Sequence, residues 1–509
     1  MKKRMTKILT FASMFLLLAS CGGGDTGGGG GGGGGTARKV EVNFWHTFGQ
    51  TIVDNLKPQI EQFKKLIKAN DNVEVVVNLV GKSDYKTILE QINKGINTGD
   101  IPTLAVCYPD HVAEYLYAEG NDEGKYVVNL DPYINSKTYG LGTEKFLGDI
   151  EGDSESHFVP AYIDEGKHFV REGTYTFPYM KSSEAMIYNL DAVTTVLSHY
   201  KPEFQGNLVE IKNYMNNLTW EEFMNLCRET LKYKAEINKD MVRPAFYDSD
   251  SNLFISQLYQ AGIGYSSVVP SVSDPNKKTG HIDFADGENR TKAEQLVTNL
   301  KGWFDEGLFT TKGVYSTYGS DSFKNKESVF TIGSTGGSGY NLTTEFSIGV
   351  CKVPVLNPDN PLFVCQGPDL CVFNKPGLNE RANNDRVLYA WKLIKYLTNA
   401  ENNAKLCVTG SEGYLPVRNE AYYTKIYLDF LATEASDPKV TIAKTVTNKA
   451  SEGGIDGRYL TTPCFMGSSE LRTQCGGIIT MSLAPGEGEP TTITDVFNEA
   501  INAATQKIK

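Results

Sequence analysis

Lys39-Val40-Glu41-Val42-Asn43-Phe44 opens the part of the chain whose reading decides the fold. Apolar and polar residues alternate through it, the period of a strand with one face buried. Ile52, Leu56, Ile60, Phe63 and Ile67 then recur at helical spacing, and Val73 to Val80 is a valine-rich second strand. Residues 84–96 read as a helix capped by Ser83, residues 103–107 as a third strand and residues 111–117 as another helix. Strand, helix, strand, helix at this rhythm predicts βαβ units on a mainly parallel sheet, an α/β fold. Crossovers of that kind place ligand sites at the carboxyl ends of the strands.

Upstream of this segment, Lys2, Lys3, Arg4 and Lys7 precede a short apolar run, Ile8 to Leu18, and then Ala19-Ser20-Cys21. The pattern predicts a secretory signal over residues 1–20, too short to span a bilayer as a helix. Small residues ahead of Cys21 resemble a bacterial lipobox, in which that cysteine becomes a lipidated N-terminus. The alternative is an ordinary signal with an incidental cysteine. Twelve of the fourteen residues after Cys21 are glycine. Glycine lacks the Cβ that restricts other backbones, so residues 21–37 are expected to be a tether with a mean reach of roughly 20 Å.

About 470 residues follow, too many for one hydrophobic core, so two lobes or more are expected. Hydrophobic content of 40% with 22% charged residues is that of an ordinary globular protein. The formal net charge is −11. The leader holds four basic residues and no acid, which leaves about −15 on the rest. Such a body is a poor partner for nucleic acid phosphates and for anionic lipid, and suits a neutral or cationic ligand. Eight cysteines follow Cys21 with no CxxC and no zinc-ligand spacing, and are expected as buried free thiols. A bridge between Cys464 and Cys475 stays open at this point.

The stretch 120–175 is polar and irregular. Four acids in residues 149–155 read as a solvated loop rather than a cation site. Further on, Ala185 to Asn189 is a strand, and Thr219-Trp220-Glu221-Glu222 starts a capped helix. A helix over 286–308 contains Trp303; Trp220 and Trp303 are expected in the core. Residues 328–332 form a strand that enters the Gly/Ser-rich loop 333–339. Strands over 350–355 and 363–373 precede helices over 385–398 and 400–409. Asp248-Ser249-Asp250-Ser251-Asn252 lacks the glycine and the final glutamate of a calcium loop, and reads as a helix cap ahead of Leu253.

Several ordered motifs now line up: Phe44-Trp45-His46 ending the first strand, Thr98-Gly99-Asp100-Ile101-Pro102 before the third, and Phe177-Pro178 leading to Ser182-Ser183-Glu184 and the strand through Tyr188-Asn189-Leu190-Asp191. Leu218-Thr219-Trp220-Glu221-Glu222-Phe223, the strand into the Gly/Ser loop, and Gly413-Tyr414-Leu415-Pro416-Val417-Arg418 complete the set. Over about residues 40–475 the chain resembles the family 1 extracellular solute-binding proteins of ABC importers, the branch that includes glycerol-phosphate-diester and maltose binders. The resemblance implies a two-lobed fold of the type II periplasmic-binding-protein kind. It implies lobe I at 38–176 plus 347–384 and lobe II at 177–346 plus 385–509, with crossings near 172–180, 342–350 and 375–385. Hinge closure over a ligand in the cleft is the motion of this class. It further implies a monomeric carbohydrate receptor, lipid-anchored on the outer face of the cell membrane and delivering to permease subunits and an ATPase. No cofactor, metal or nucleic acid is expected.

A pyranose has apolar C–H faces and a rim of hydroxyls, so its pocket needs flat aromatic plates and a few fixed polar groups. Trp45, Tyr85, Tyr108, Tyr247 and Tyr414 fall where strand ends and turns are expected. The resemblance assigns ligand-contacting positions to Tyr85, Ser182, Ser334, Gly367 and Tyr414. Ser183, Asp110, Glu184, Asp248 and Asp369 lie beside them as hydrogen-bonding groups, with His46 next to Trp45. Structural roles stay open for Trp45, His46, Ser334 and Tyr414. Phosphate-diester binders have an arginine in the segment that aligns with residues 464–467; this chain has Phe465 there, with Arg472 the nearest basic residue downstream, which favours a neutral sugar. No His-Glu-x-x-His, Gly-x-Ser-x-Gly or phosphate-loop motif occurs, so no catalysis is expected. A surface glycoside hydrolase with a carboxylate pair is the rival from another class, and an adhesive surface protein a third.

Overall fold

The alternation at residues 39–44 becomes the strand Arg38–His46, with Val40, Val42 and Phe44 buried beneath it. The computed structural model describes residues 38–120, 122–359, 361–410, 413–433, 459–486, 488 and 492–509. The expected signal, Cys21 and the tether lie outside the described residues.

Arg38–His46 pairs in parallel with Val73–Gly81 and with Leu104–Cys107. Asp369–Val372 then joins antiparallel, followed by Phe177–Pro178, and completes a five-stranded sheet. The helix Gln50–Asp71 buries Leu56, Ile60, Phe63 and Ile67 against it. Tyr85–Ile96 buries Ile88, Ile92 and Ile96. Its cap is Asp84 rather than Ser83: the Asp84 carboxylate accepts the Thr87 N–H at 2.7 Å, while the Ser83 hydroxyl meets the Thr87 hydroxyl. A carboxylate one residue nearer the first turn is the stronger acceptor there.

A second five-stranded sheet runs Ile348–Cys351, Glu184–Asn189, Phe330–Ser334, Ala245–Tyr247, Phe309–Thr311. Glu184–Asn189 is antiparallel to both neighbours, and the remaining pairs are parallel. The helix Trp220–Lys232 starts with a full capping box, in which the Thr219 N–H donates to Glu222 at 2.9 Å and the Glu222 N–H donates to the Thr219 hydroxyl at 3.2 Å. Trp220 is buried and Trp303 packs against the same core, as expected.

Each sheet carries its own large core, which gives two α/β lobes. The lobe boundaries differ from those expected. Val387, Trp391, Leu397 and Tyr422 lie in the first core, so 385–433 belongs with the first sheet. The reason is that Asp369–Val372 enters that sheet, and the helix Glu380–Leu397 follows it down, with the Trp391 indole donating to the Tyr139 carbonyl at 2.9 Å. Ile348–Cys351 and, beyond it, Val353, Leu356 and Leu362 belong instead to the second lobe, because Ile348–Cys351 pairs with Glu184–Asn189. The chain leaves the first core after Met180 and returns between Val353 and Cys365. A third passage lies at residues 459–465, where Tyr459 and Cys464 pack in the first core and Leu460 and Phe465 in the second. The strand expected over 363–373 is split in two. Gly367 sits between the halves at φ +109°, where a Cβ would press on the Met180 carbonyl.

The acidic segment 149–155 is not the solvated loop expected. Asp149 and Asp153 are buried. The Lys395 ammonium lies 2.8 Å from Asp149 and 2.9 Å from Glu144, and the Arg418 guanidinium grips Asp153 with both terminal nitrogens. Burial pushes the Asp153 carboxyl up, and Arg418 opposes that shift. All eight described cysteines are buried, and none forms a disulfide. Cys464 and Cys475 pack in different cores and form no bridge.

Two outcomes follow. Arg418→Met leaves Asp153 buried without its partner and should destabilise folding by about 3–5 kcal/mol, read as a lower urea midpoint; an unchanged midpoint contradicts the pairing. A thiol reagent should label none of the eight buried cysteines rapidly in the native protein and all of them in guanidinium.

Candidate functional site

Between the two cores lies a cavity of about 610 Å³. Part of its wall comes from strand ends. Tyr108, Pro109 and Asp110 follow the strand Leu104–Cys107 and start the helix Pro109–Glu119. From the second sheet, Glu184 opens Glu184–Asn189, Asp248 follows Ala245–Tyr247, and Ser334 ends Phe330–Ser334. Asn252 on the helix Asp250–Gln260 and Arg472 on Ser468–Leu483 add an amide and a guanidinium. Glu165, Gln366, Tyr265, Asp321, Tyr318 and Tyr340 also line it.

Glu184 is the most constrained of these. The Tyr247 hydroxyl donates to its Oε2 at 2.5 Å, and the Asn252 amide donates to its Oε1 at 2.9 Å. The same amide nitrogen donates to Gln366 at 3.1 Å, while the Asn252 carbonyl oxygen accepts from Arg472. Asn252 therefore stands between a carboxylate and a guanidinium. Burial pushes the Glu184 carboxyl up to about 7, opposed by the Tyr247 and Asn252 hydrogen bonds. Burial also raises Glu165 to about 7, against the pull of Lys181, and raises Asp248, whose carboxylate accepts the Gly319 N–H at 2.7 Å.

Tyr108, Asp110, Glu184, Asp248 and Ser334 are thus brought together on one cavity. The other expected site residues stand behind its walls or away from them. Tyr85 stacks on Tyr108 at 4.2 Å between ring centroids and backs that wall. Tyr414 packs against the first core, and its ring abuts Gly336 of the second lobe, where a Cβ would come within 2.8 Å of it. Tyr247 is buried behind Glu184. Trp45 lies in the first core with the Lys82 ammonium 3.8 Å over its ring. His46 is buried, stacks on Phe48 and accepts the Phe48 N–H at 3.2 Å. Burial lowers its pKa, which keeps the imidazole an acceptor. Ser182 pairs its main chain with Gln366, and its hydroxyl accepts from Ser334 at 3.4 Å. Ser183 holds Thr335 through its backbone. Gly367 serves the turn, and Asp369 is wholly buried against Lys181 at 2.5 Å and the Thr176 hydroxyl at 2.8 Å.

Glu165, Asn252, Gln366 and the outer tyrosines were not expected. Arg472 corrects the argument drawn from Phe465. That ring packs where a Cβ on Gly280 would overlap it, inside the second core, and Arg472 supplies the cavity's guanidinium from the following helix. Among the described residues no group of three or more His, Cys, Asp or Glu could hold a metal ion, and no helix is long and apolar enough to cross a membrane.

The profile of the bacterial extracellular solute-binding proteins matches residues 59–431. No curated protein matches the chain by sequence. Among solved structures, UgpB from Mycobacterium tuberculosis, in complex with glycerophosphocholine, superposes with a TM-score of 0.63 at 14% identity, covering 92% of this chain and 98% of that one. The cyclic alpha-maltosyl-1,6-maltose binding protein from Arthrobacter globiformis gives 0.62 at 15% identity, covering 92% and 98%. The GacH receptor of Streptomyces glaucescens gives 0.61 at 16%, covering 92% and 99%. These structures share the fold. With a cavity enclosed by two α/β lobes and a family profile that runs through both, the chain belongs to the bacterial extracellular solute-binding proteins.

Proposed function

We propose that this chain is the substrate receptor of an ABC importer, anchored by a lipid on Cys21 at the outer face of the cell membrane, and that it captures a carbohydrate between its lobes and hands it to a permease. The observation that carries this reading is the cavity: both cores contribute to its wall, and the wall combines tyrosine faces with a carboxylate, an amide and a guanidinium fixed by their own hydrogen bonds. That is the lining a hydroxyl-rimmed ring with apolar faces requires. Short crossings at residues 180–185 and 459–465 are the segments about which two cores can close. The basic, apolar, Cys21-ended leader and the glycine run support the anchor and tether. Resemblance to sugar and glycerophosphocholine binders supports the ligand class.

One observation favours a hydrolase instead: two carboxyls raised to about 7, Glu165 and Glu184, share the cavity. Each is already engaged, Glu165 by the Lys181 ammonium and Glu184 by Tyr247 and Asn252, so neither proton is directed at a substrate. Incubating the protein with oligosaccharides separates the two readings. A receptor leaves the sugar intact and shows saturable affinity, whereas release of product establishes the hydrolase.

Tyr108→Ala should weaken carbohydrate binding by about tenfold or more with the fold retained. Trp45→Ala should act on stability instead, at about 3–5 kcal/mol, since its ring lies in the first core. Calorimetry beside thermal melting checks both, and the reverse pattern contradicts the pocket assignment. Glu184 also sets a pH dependence. Its folded pKa, about 7, lies above the ordinary 4.5, so its contribution to stability is complete below that lower value and is lost as pH rises through 7. Melting of the unliganded protein should therefore show Glu184→Gln gaining on the parent from about pH 5 to about pH 8. A difference that stays flat with pH contradicts the shift.

A further inference from the structure

The charges around the cavity do not balance. Asp110, Glu165, Glu184, Asp248 and Asp321 line it, against Arg472 as the one basic side chain among the described lining residues. Two of the five acids have partners: Glu165 is bonded by Lys181, and Asp321 has Lys324 at 3.6 Å. Arg472 neutralises none of the rest by contact, because its guanidinium donates to the amide oxygen of Asn252. Asp110, Glu184 and Asp248 form no salt bridge among the described residues. Asp110 accepts its neighbour's N–H from His111 at 3.0 Å, Asp248 accepts from Gly319, and Glu184 accepts from Tyr247 and Asn252, all of them neutral donors. Neutral donors satisfy oxygen lone pairs without cancelling charge. Burial opposes the charged form of Glu184, raised to about 7, and of Asp248, where the Gly319 hydrogen bond and the Lys312 charge oppose the shift, so a cation bound beside them would favour the charged form of both. Tyrosine faces add a second independent attraction for a cation. Tyr108 and Tyr265 are on the inner wall and Tyr318 and Tyr340 at the exposed mouth, and Tyr318 already carries the Lys312 ammonium 3.5 Å over its ring.

We propose that the ligand of this cavity is a glycan bearing a positively charged amine, with the ammonium seated among Asp110, Glu184 and Asp248 and the sugar ring against Tyr108. The inference rests on the carbohydrate reading above and narrows it. A phosphate-bearing ligand meets Asp110 and Asp248, neither of them in a salt bridge among the described residues, against one guanidinium, and is disfavoured by the same geometry.

Calorimetric titration of the full chain in detergent tests this, using glucosamine di- and trisaccharides paired with their N-acetylated forms at about pH 6, where the amines are charged. The amine member of a pair should bind about tenfold or more tighter. Its advantage should shrink as salt rises, and should shrink again in Asp110→Asn and in Asp248→Asn, where asparagine keeps an acceptor for the Gly319 N–H. Circular dichroism of the two variants confirms that they are folded. N-acetylated forms binding as tightly as their partners, or an advantage indifferent to salt and to both substitutions, overturns the charged-amine inference and leaves carbohydrate capture standing. If no glycan of either kind binds, the carbohydrate reading falls and this inference falls with it.

Discussion

Lys181 has no exposed side-chain surface, so its ammonium must be matched inside the protein. Asp369 matches it from the start of the strand Asp369–Val372, and Glu165 matches it from the cavity wall. Burial works against the lysine's charge, but the two carboxylates outweigh it and hold its pKa well above the ordinary value. The main chain is secured as well: Lys181 exchanges hydrogen bonds with Leu415 at 3.1 and 2.7 Å, and Ser182 with Gln366 at 2.7 and 3.0 Å. One buried cation thus joins the first sheet, the start of the crossing and the wall of the cavity. The path into the second lobe follows from it.

That path decides what the cavity contains. Three residues beyond Lys181 the chain presents Glu184, and Gln366 on the returning crossing reaches the same Asn252 amide that holds it. A ligand that contacts Glu184 or Arg472 therefore contacts a network continuous with the segments joining the cores. In the proposed mechanism this is how occupancy is felt by the closing motion: the groups that hold the guest are bonded to the strands of chain that bend. Asn252 donates to Glu184 through its amide nitrogen and accepts from Arg472 through its carbonyl oxygen, so it links the carboxyl and the guanidinium across the cavity wall.

How far the sequence spoke depends on the range of the interactions involved. The strands at 38–46, 73–81 and 104–107 were legible because alternation and helical spacing are local signals. Tyr108, Asp110, Asp248 and Ser334 were legible because they directly follow strands or end them. Trp45 misled for a local reason too: its strand position resembles theirs, but the ring stays with the first core under Lys82. Glu165, Asn252 and Arg472 reach the cavity from helices and loops, and no spacing rule announces which residue of a helix will face a cleft. The acidic segment was misread because Asp149 and Asp153 find Lys395 and Arg418 only 246 and 265 residues later in the chain. The lobe boundaries failed similarly, since the first sheet recruits Asp369–Val372 after the whole second sheet has been laid down.

A crystal structure of the protein with a bound oligosaccharide tests the central claim most directly. The account requires a sugar ring against Tyr108, between the lobes, with its polar groups within hydrogen-bonding distance of Glu184, Asp248 or Arg472. A sugar seated outside this cavity, or resting on Trp45 and His46 instead, contradicts it.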